Sequence, residues 1–129
     1  MRYIYTAIIT EENDGKFLVR FPDLDGCVTS GKSIDNAMDM AEDALAGWLC
    51  VAEDNGLKIP SPTALKDMSV QKGEYPYLSR VDTLKYRQAT DTKAVRRNVS
   101  LPMWLSKIVE QRKINCSKVL QDALISMIR

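Results

Sequence analysis

The last 36 residues impose the hardest constraint on how this chain can fold. Residues 94–101 alternate like a strand, with Val95, Val99 and Leu101 in one phase and Arg96, Asn98 and Ser100 in the other. Pro102 suits the first turn of a helix, and Leu105, Ile108 and Val109 give that helix an apolar stripe. Asn115 is an N-cap for a second helix, whose apolar face is Val119, Leu120, Ala123, Leu124, Met127 and Ile128. One strand and two short helices cannot bury enough apolar surface to fold alone. The lone strand also leaves both of its edges unpaired. Pairing with the same strand of a second chain solves both problems: the strands form an antiparallel ribbon and four helices form its core. The tail therefore predicts a dimer.

The outward phase of that ribbon carries base-reading chemistry. A two-stranded ribbon fits the major groove of B-DNA. Arg96 can bond guanine O6 and N7 together, Asn98 can do the same for adenine N6 and N7, and Ser100 is short and tolerant. The start of the second helix, at Asn115, Cys116, Ser117 and Lys118, offers backbone N–H groups to phosphate. A slip of one residue would instead turn Arg97 and Val99 outward. Of positions 95, 97 and 99, two are apolar, which favours the first register.

Charge is divided along the chain. Residues 1–67 carry 6 Lys/Arg against 12 Asp/Glu, net −6, and residues 68–129 carry 12 against 5, net +7. An acidic half joined to a basic tail points to two oppositely charged partners. The chain has no histidine, which removes Ser-His-Asp and Cys-His nucleophiles, HExxH zinc sites and imidazole bases. Cys27, Cys50 and Cys116 are widely spaced, form no CxxC pair, and read as small apolar core residues. These features exclude the commonest catalytic and metal sites and favour a protein that acts by binding, without cofactor or metal. No apolar run is long enough to span a bilayer and the start lacks a signal-peptide pattern, so the expected compartment is cytoplasmic.

Residues 3–10 read as a strand, Asp14-Gly15 as a hairpin turn, and residues 16–21 as a second strand with Phe17, Val19 and Phe21 on one face. Residues 27–30 form a short third strand closed by Gly31. Ser33 then caps a helix running to about Asn55, with Gly56 as its C′ residue. Ile34, Ala37, Met38, Ala41, Leu45, Trp48 and Ala52 lie on its apolar face, and Asp35, Asp39, Glu42 and Asp43 on the acidic one. Residues 57–76, with Pro60, Pro62, Gly73 and Pro76, form a long irregular connection, and residues 77–86 a fourth strand. The expected organisation is a domain at 1–87, a polar linker at 88–93 and a second domain at 94–129. The expected fold class is α+β: a small antiparallel sheet with one long helix, plus the dimerising tail.

The run Arg96-x-Asn98-Val99-Ser100-Leu101-Pro102, followed by two helices, resembles the ribbon-helix-helix DNA-binding domains. It departs at Arg97, where those domains usually carry an apolar residue, and at Lys113, often glycine. The run Phe21-Pro22-Asp23-Leu24-Asp25-Gly26-Cys27-Val28-Thr29-Ser30-Gly31 and the helix after it resemble the HicB family of antitoxins over residues 1–87. That resemblance implies a partial RNase-H-like domain and a small basic toxin partner of the HicA type, which cleaves mRNA. It also implies repression of the shared operon through operator double-stranded DNA. An acidic domain suits a basic ribonuclease electrostatically.

Within the motif, Pro22 and Gly26 shape a turn and Leu24 tucks inward, whereas Asp23 and Asp25 read equally as turn residues or toxin contacts. Trp48 belongs to the apolar phase of its helix and reads as core. Two other functions fit parts of the sequence. One is a dimeric ribbon-helix-helix repressor whose N-terminal domain senses a ligand, with no toxin. The other is a two-metal nuclease built on Glu11, Glu12, Asp14, Asp23 and Asp25. Three of those five acids lie in a turn, where mobile side chains hold metal poorly.

Overall fold

The computed structural model describes residues 1–129. Its contacts divide the chain into two compact units, Met1–Thr92 and Lys93–Arg129.

The first unit is built on strands β1 (Arg2–Glu11), β2 (Phe17–Arg20) and β3 (Val28–Gly31), helix α1 (Ile34–Asp54), strand β4 (Glu74–Asp82) and helix α2 (Thr83–Thr90). The sheet is antiparallel in the order β3-β2-β1-β4. β1 is central, with Ile9 opposite Val19 on one side and Tyr75 on the other. The β-branched and aromatic run at its start is what a strand paired on both edges requires. The hairpin turn closes where Gly15 takes a φ of 84°, a left-handed conformation that glycine adopts without a Cβ penalty.

Tyr5, Ala7, Ile9, Val19 and Phe21 alternate toward α1 and pack with Ala37, Ala41, Leu45, Ala46 and Leu49 in one core. Leu24 is buried in the same cluster, as the motif predicts. Ser33 caps α1 by accepting the Asn36 N–H at 3.1 Å. At the other end the Gly56 N–H donates to the Glu53 carbonyl and the Leu57 N–H to the Ala52 carbonyl, a Schellman closure. The sequence stripe is rotated slightly from the true one. Ile34 is exposed, while Ala46, Leu49 and Cys50 are buried.

The opposite face of the sheet has a smaller cover. Arg20 stands beside Ile8 and Glu74 beside Thr10, and their ion pair at 2.9 Å crosses β1 above that face. Ile8 beneath it is fully buried.

The region after α1 departs from expectation. The fourth strand begins three residues earlier and stops at Asp82, whose carboxylate caps α2 by accepting the Leu84 N–H at 3.0 Å. Residues 83–86 are therefore helical, and the helix continues through residues 88–90, which the sequence places in a linker.

The second unit contains α3 (Met103–Gln111) and α4 (Cys116–Ile128), and neither helix buries a single residue. Residues 94–101 carry no strand, contrary to the alternation in the sequence. A ladder needs a second strand, and this unit has none to offer. Asn115 caps α4 as expected, accepting the Lys118 N–H at 3.1 Å. Lys113 adopts a φ of 54° between the two helices. That left-handed conformation suits glycine better than a residue with a Cβ and marks Lys113 as strained. The expectation that all three cysteines are core residues fails at Cys116, which is exposed, while Cys27 and Cys50 are buried.

Candidate binding surfaces

Two surfaces carry the chemistry singled out in the sequence, one on each unit.

On the first unit, the turn after β2 is held rigidly. Asp23 is half-buried, and both of its carboxylate oxygens are engaged by Thr63, one by the backbone N–H at 2.8 Å and the other by the hydroxyl at 2.6 Å. The Tyr5 hydroxyl donates to the Pro60 carbonyl in the same connection. Asp23 thus staples the long segment after α1 onto the core, while Asp25 points to solvent. The Asp25 carbonyl accepts the Trp48 indole N–H at 3.0 Å. Trp48 packs against the core without being fully buried, so it forms a fixed wall at the surface.

That wall borders a groove of about 630 Å³ running between the turn and α1. Val28, Val51 and Leu57 present apolar surface along it, each more than half exposed. Its ionisable carboxylates are Asp25 and Asp43, and no Lys or Arg lines it. Tyr86 closes one end, its hydroxyl held above the usual tyrosine range by burial and by the charge of Asp43. Burial alone pushes the Cys27 thiol up to about 11, so Cys27 is an inert apolar neighbour. The acids Glu11, Glu12, Asp14, Asp23 and Asp25 do not converge, and no group of three or more His, Cys, Asp or Glu side chains is placed to hold a metal ion.

At the far end of α1 a polar cluster ties three elements together. Glu53 accepts from the Tyr3 hydroxyl at 2.8 Å, the Thr83 hydroxyl at 3.2 Å and Arg87 at 3.1 Å. Burial raises the Glu53 carboxyl, but these hydrogen bonds outweigh it and hold the group below the ordinary glutamate range. Burial and the bond to Glu53 push Tyr3 up to about 12. This cluster has no signature in the sequence, because its members lie on β1, α1 and α2 and meet only in the fold.

On the second unit, Arg96, Asn98 and Ser100 are exposed, and none lines the apolar groove formed with the two helices. Arg97, Val99 and Leu101 do line it, facing Leu105, Val109 and Leu120 across about 480 Å³. At the start of α4, Cys116, Ser117 and Lys118 are exposed, and the Lys118 ammonium pairs with Asp122 at 3.0 Å. No helix of either unit is long and apolar enough to cross a membrane.

A sheet covered by one long helix, followed by two helices without a core of their own, defines an α+β architecture shared with known antitoxins. A family model described as the HicB-like antitoxin of bacterial toxin–antitoxin systems matches residues 5–123. The chain belongs to that family. A UPF0150 protein of Thermoplasma acidophilum is 35% identical over 60 residues, which is 46% of this chain and 87% of that protein. A toxin–antitoxin complex from Streptococcus pneumoniae contains a chain of the same fold, with a TM-score of 0.64 and 20% identity, covering 98% of this chain and 99% of that one. A HicA3–HicB3 toxin–antitoxin complex contains a chain 26% identical with a TM-score of 0.52, covering 62% of this chain and 99% of that one.

Proposed function

We propose that the acidic unit binds and inhibits a small basic ribonuclease of the HicA type, and that the basic unit dimerises as a ribbon-helix-helix domain and represses the shared operon. The observation that carries this reading is that the charge division coincides with the structural one. Met1–Thr92 carries 10 Lys/Arg against 15 Asp/Glu, net −5, and Lys93–Arg129 carries 8 against 2, net +6. Opposite fields steer each unit to a different partner: a cationic nuclease for one, the phosphate backbone of DNA for the other. The coreless tail supports the dimer, since its exposed apolar groove needs a second copy to be covered. The toxin partner is supported by the complexes in which related chains occur.

Co-expression of the full-length chain with a small basic ribonuclease of the HicA type tests the proposal. The expected result is a stable complex, relief of growth arrest, and retention of the promoter fragment by the complex. Growth arrest in the presence of abundant folded chain would overturn the toxin-binding half. A chain that stays monomeric at micromolar concentration in light scattering would overturn the ribbon-helix-helix half.

A further inference from the structure

The interior of α1 contains a glycine that this fold does not require. Gly47 lies in the middle of a helix of 21 residues. A glycine there weakens the helix relative to alanine. At Gly31 the reason for a glycine is plain, since a Cβ would sit 2.4 Å from the Ala37 backbone nitrogen. At Gly47 an added Cβ would meet only the Tyr86 hydroxyl at 3.7 Å, an ordinary contact. Alanine would fit and would strengthen the helix.

Gly47 forms the floor of the groove between Trp48 and Val51 on one side and the Asp25–Val28 turn on the other. The motif turn and the helix, separate surfaces in the sequence, are two walls of one site. Its lining combines exposed aliphatic side chains with two carboxylates and no cation. Such a site matches a cationic protein surface that places an apolar side chain between Lys or Arg residues. The indole of Trp48, fixed by its bond to the Asp25 carbonyl, supplies a rigid anchor.

We propose that this groove is where the antitoxin receives its ribonuclease, with Gly47 leaving the floor bare so that a basic segment of the toxin approaches the helix backbone. This rests on the toxin-binding reading above and names its surface.

The test uses full-length chain carrying Trp104→Phe, which leaves Trp48 as the only tryptophan, titrated with the co-purified ribonuclease. Binding should change the Trp48 emission. Gly47→Ala should raise the Tm of the free protein by roughly 4–8 °C. It should also weaken the complex at least about tenfold, because a methyl group now fills the floor. Val51→Arg, an exposed change in the groove wall, should weaken binding as much with Tm unchanged. Ile34→Arg, exposed on the same helix outside the groove, should leave affinity intact.

A fall in Tm for Gly47→Ala would show that the fold itself needs the glycine and would overturn the inference. So would full affinity in Val51→Arg. Variants that alter only the self-association of the free chain would assign the groove to a second copy instead. If the unsubstituted chain fails to bind the ribonuclease at all, the antitoxin reading falls first and the groove assignment with it.

Discussion

Asp23 and Thr63 are forty residues apart in sequence, yet the carboxylate of one takes both polar hydrogens of the other, at 2.8 and 2.6 Å. This pair anchors the middle of the irregular segment that follows α1. Charge-assisted hydrogen bonds of this kind contribute about 1.5–3 kcal/mol each. Asp23→Ala removes both and should lower stability by roughly 2–4 kcal/mol in urea unfolding, with faster amide exchange at Thr63. Thr63→Val removes only the hydroxyl bond and should cost about half as much. A stability loss below about 0.5 kcal/mol for Asp23→Ala would mean that the segment is held by Tyr5 and apolar packing alone.

Gly31 should respond to alanine in the opposite direction from Gly47. Its Cβ would press into the Ala37 nitrogen, Cα and Cβ at 2.4, 2.5 and 2.9 Å. Backbone on both sides leaves no flexible end to yield. Gly31→Ala should therefore destabilise the acidic unit by about 1–3 kcal/mol or more, by forcing β3 away from α1. Thermal unfolding of the two variants side by side checks the contrast: Tm falls for Gly31→Ala and rises for Gly47→Ala.

Local signals carried the sequence reading as far as they reach. Ser33, Gly56, Asn115 and the Asp14-Gly15 turn each act within a few residues, and each sits where its chemistry placed it. The apolar stripe of α1 was legible in its middle, at Ala37, Ala41 and Leu45, and drifted at its ends. Three- and four-residue steps over a helix this long accumulate rotation, which exposed Ile34 and hid Leu49 from the reading. α2 was missed because its cap, Asp82, is also the last residue of a strand, and few apolar side chains follow to show a period. The Glu53 cluster and the Asp23 staple pair residues far apart in sequence, which no local pattern records. The alternation at residues 94–101 appears without a ladder, because the single chain offers no second strand beside it.

Acid should loosen the junction of β1, α1 and α2 through Glu53. Its carboxyl is held below the usual value of 4.5 in the folded state, because the bonds from Tyr3, Arg87 and Thr83 outweigh the effect of burial. A group with a lowered folded-state value stabilises the protein above its unfolded value and loses that contribution as pH falls through the folded one. The stability linked to Glu53 should thus be complete at neutral pH and decline below about pH 4.5. Glu53→Gln should lower stability at pH 7 and flatten the dependence in that acidic window. An unchanged slope between pH 5 and pH 3, measured by urea unfolding, would remove Glu53 from the acid response.

The division between inward and outward residues in the tail makes the DNA proposal testable residue by residue. Arg97 lines the apolar groove with Val99 and Leu101, whereas Arg96 and Asn98 do not. If a second copy covers that groove, each dimer offers Arg96 and Asn98 twice on the other side of the ribbon. A good bidentate base contact contributes about 1–3 kcal/mol of discrimination. Arg96→Ala should then weaken operator binding by about 2–6 kcal/mol, with preference over random DNA falling alongside. Lys118 begins from a weaker position, since its ammonium is already paired with Asp122 on an exposed helix face. Such a surface pair is held by about 1 kcal/mol or less, so phosphate can displace it. Lys118→Ala should reduce operator and random DNA binding alike and lower the salt dependence. Arg97→Ala should leave specificity intact and act, if at all, on the dimer. Operator titrations of the three variants at two salt concentrations separate these outcomes. Specificity lost with Arg97→Ala and kept with Arg96→Ala would mean that the ribbon presents its other face to DNA.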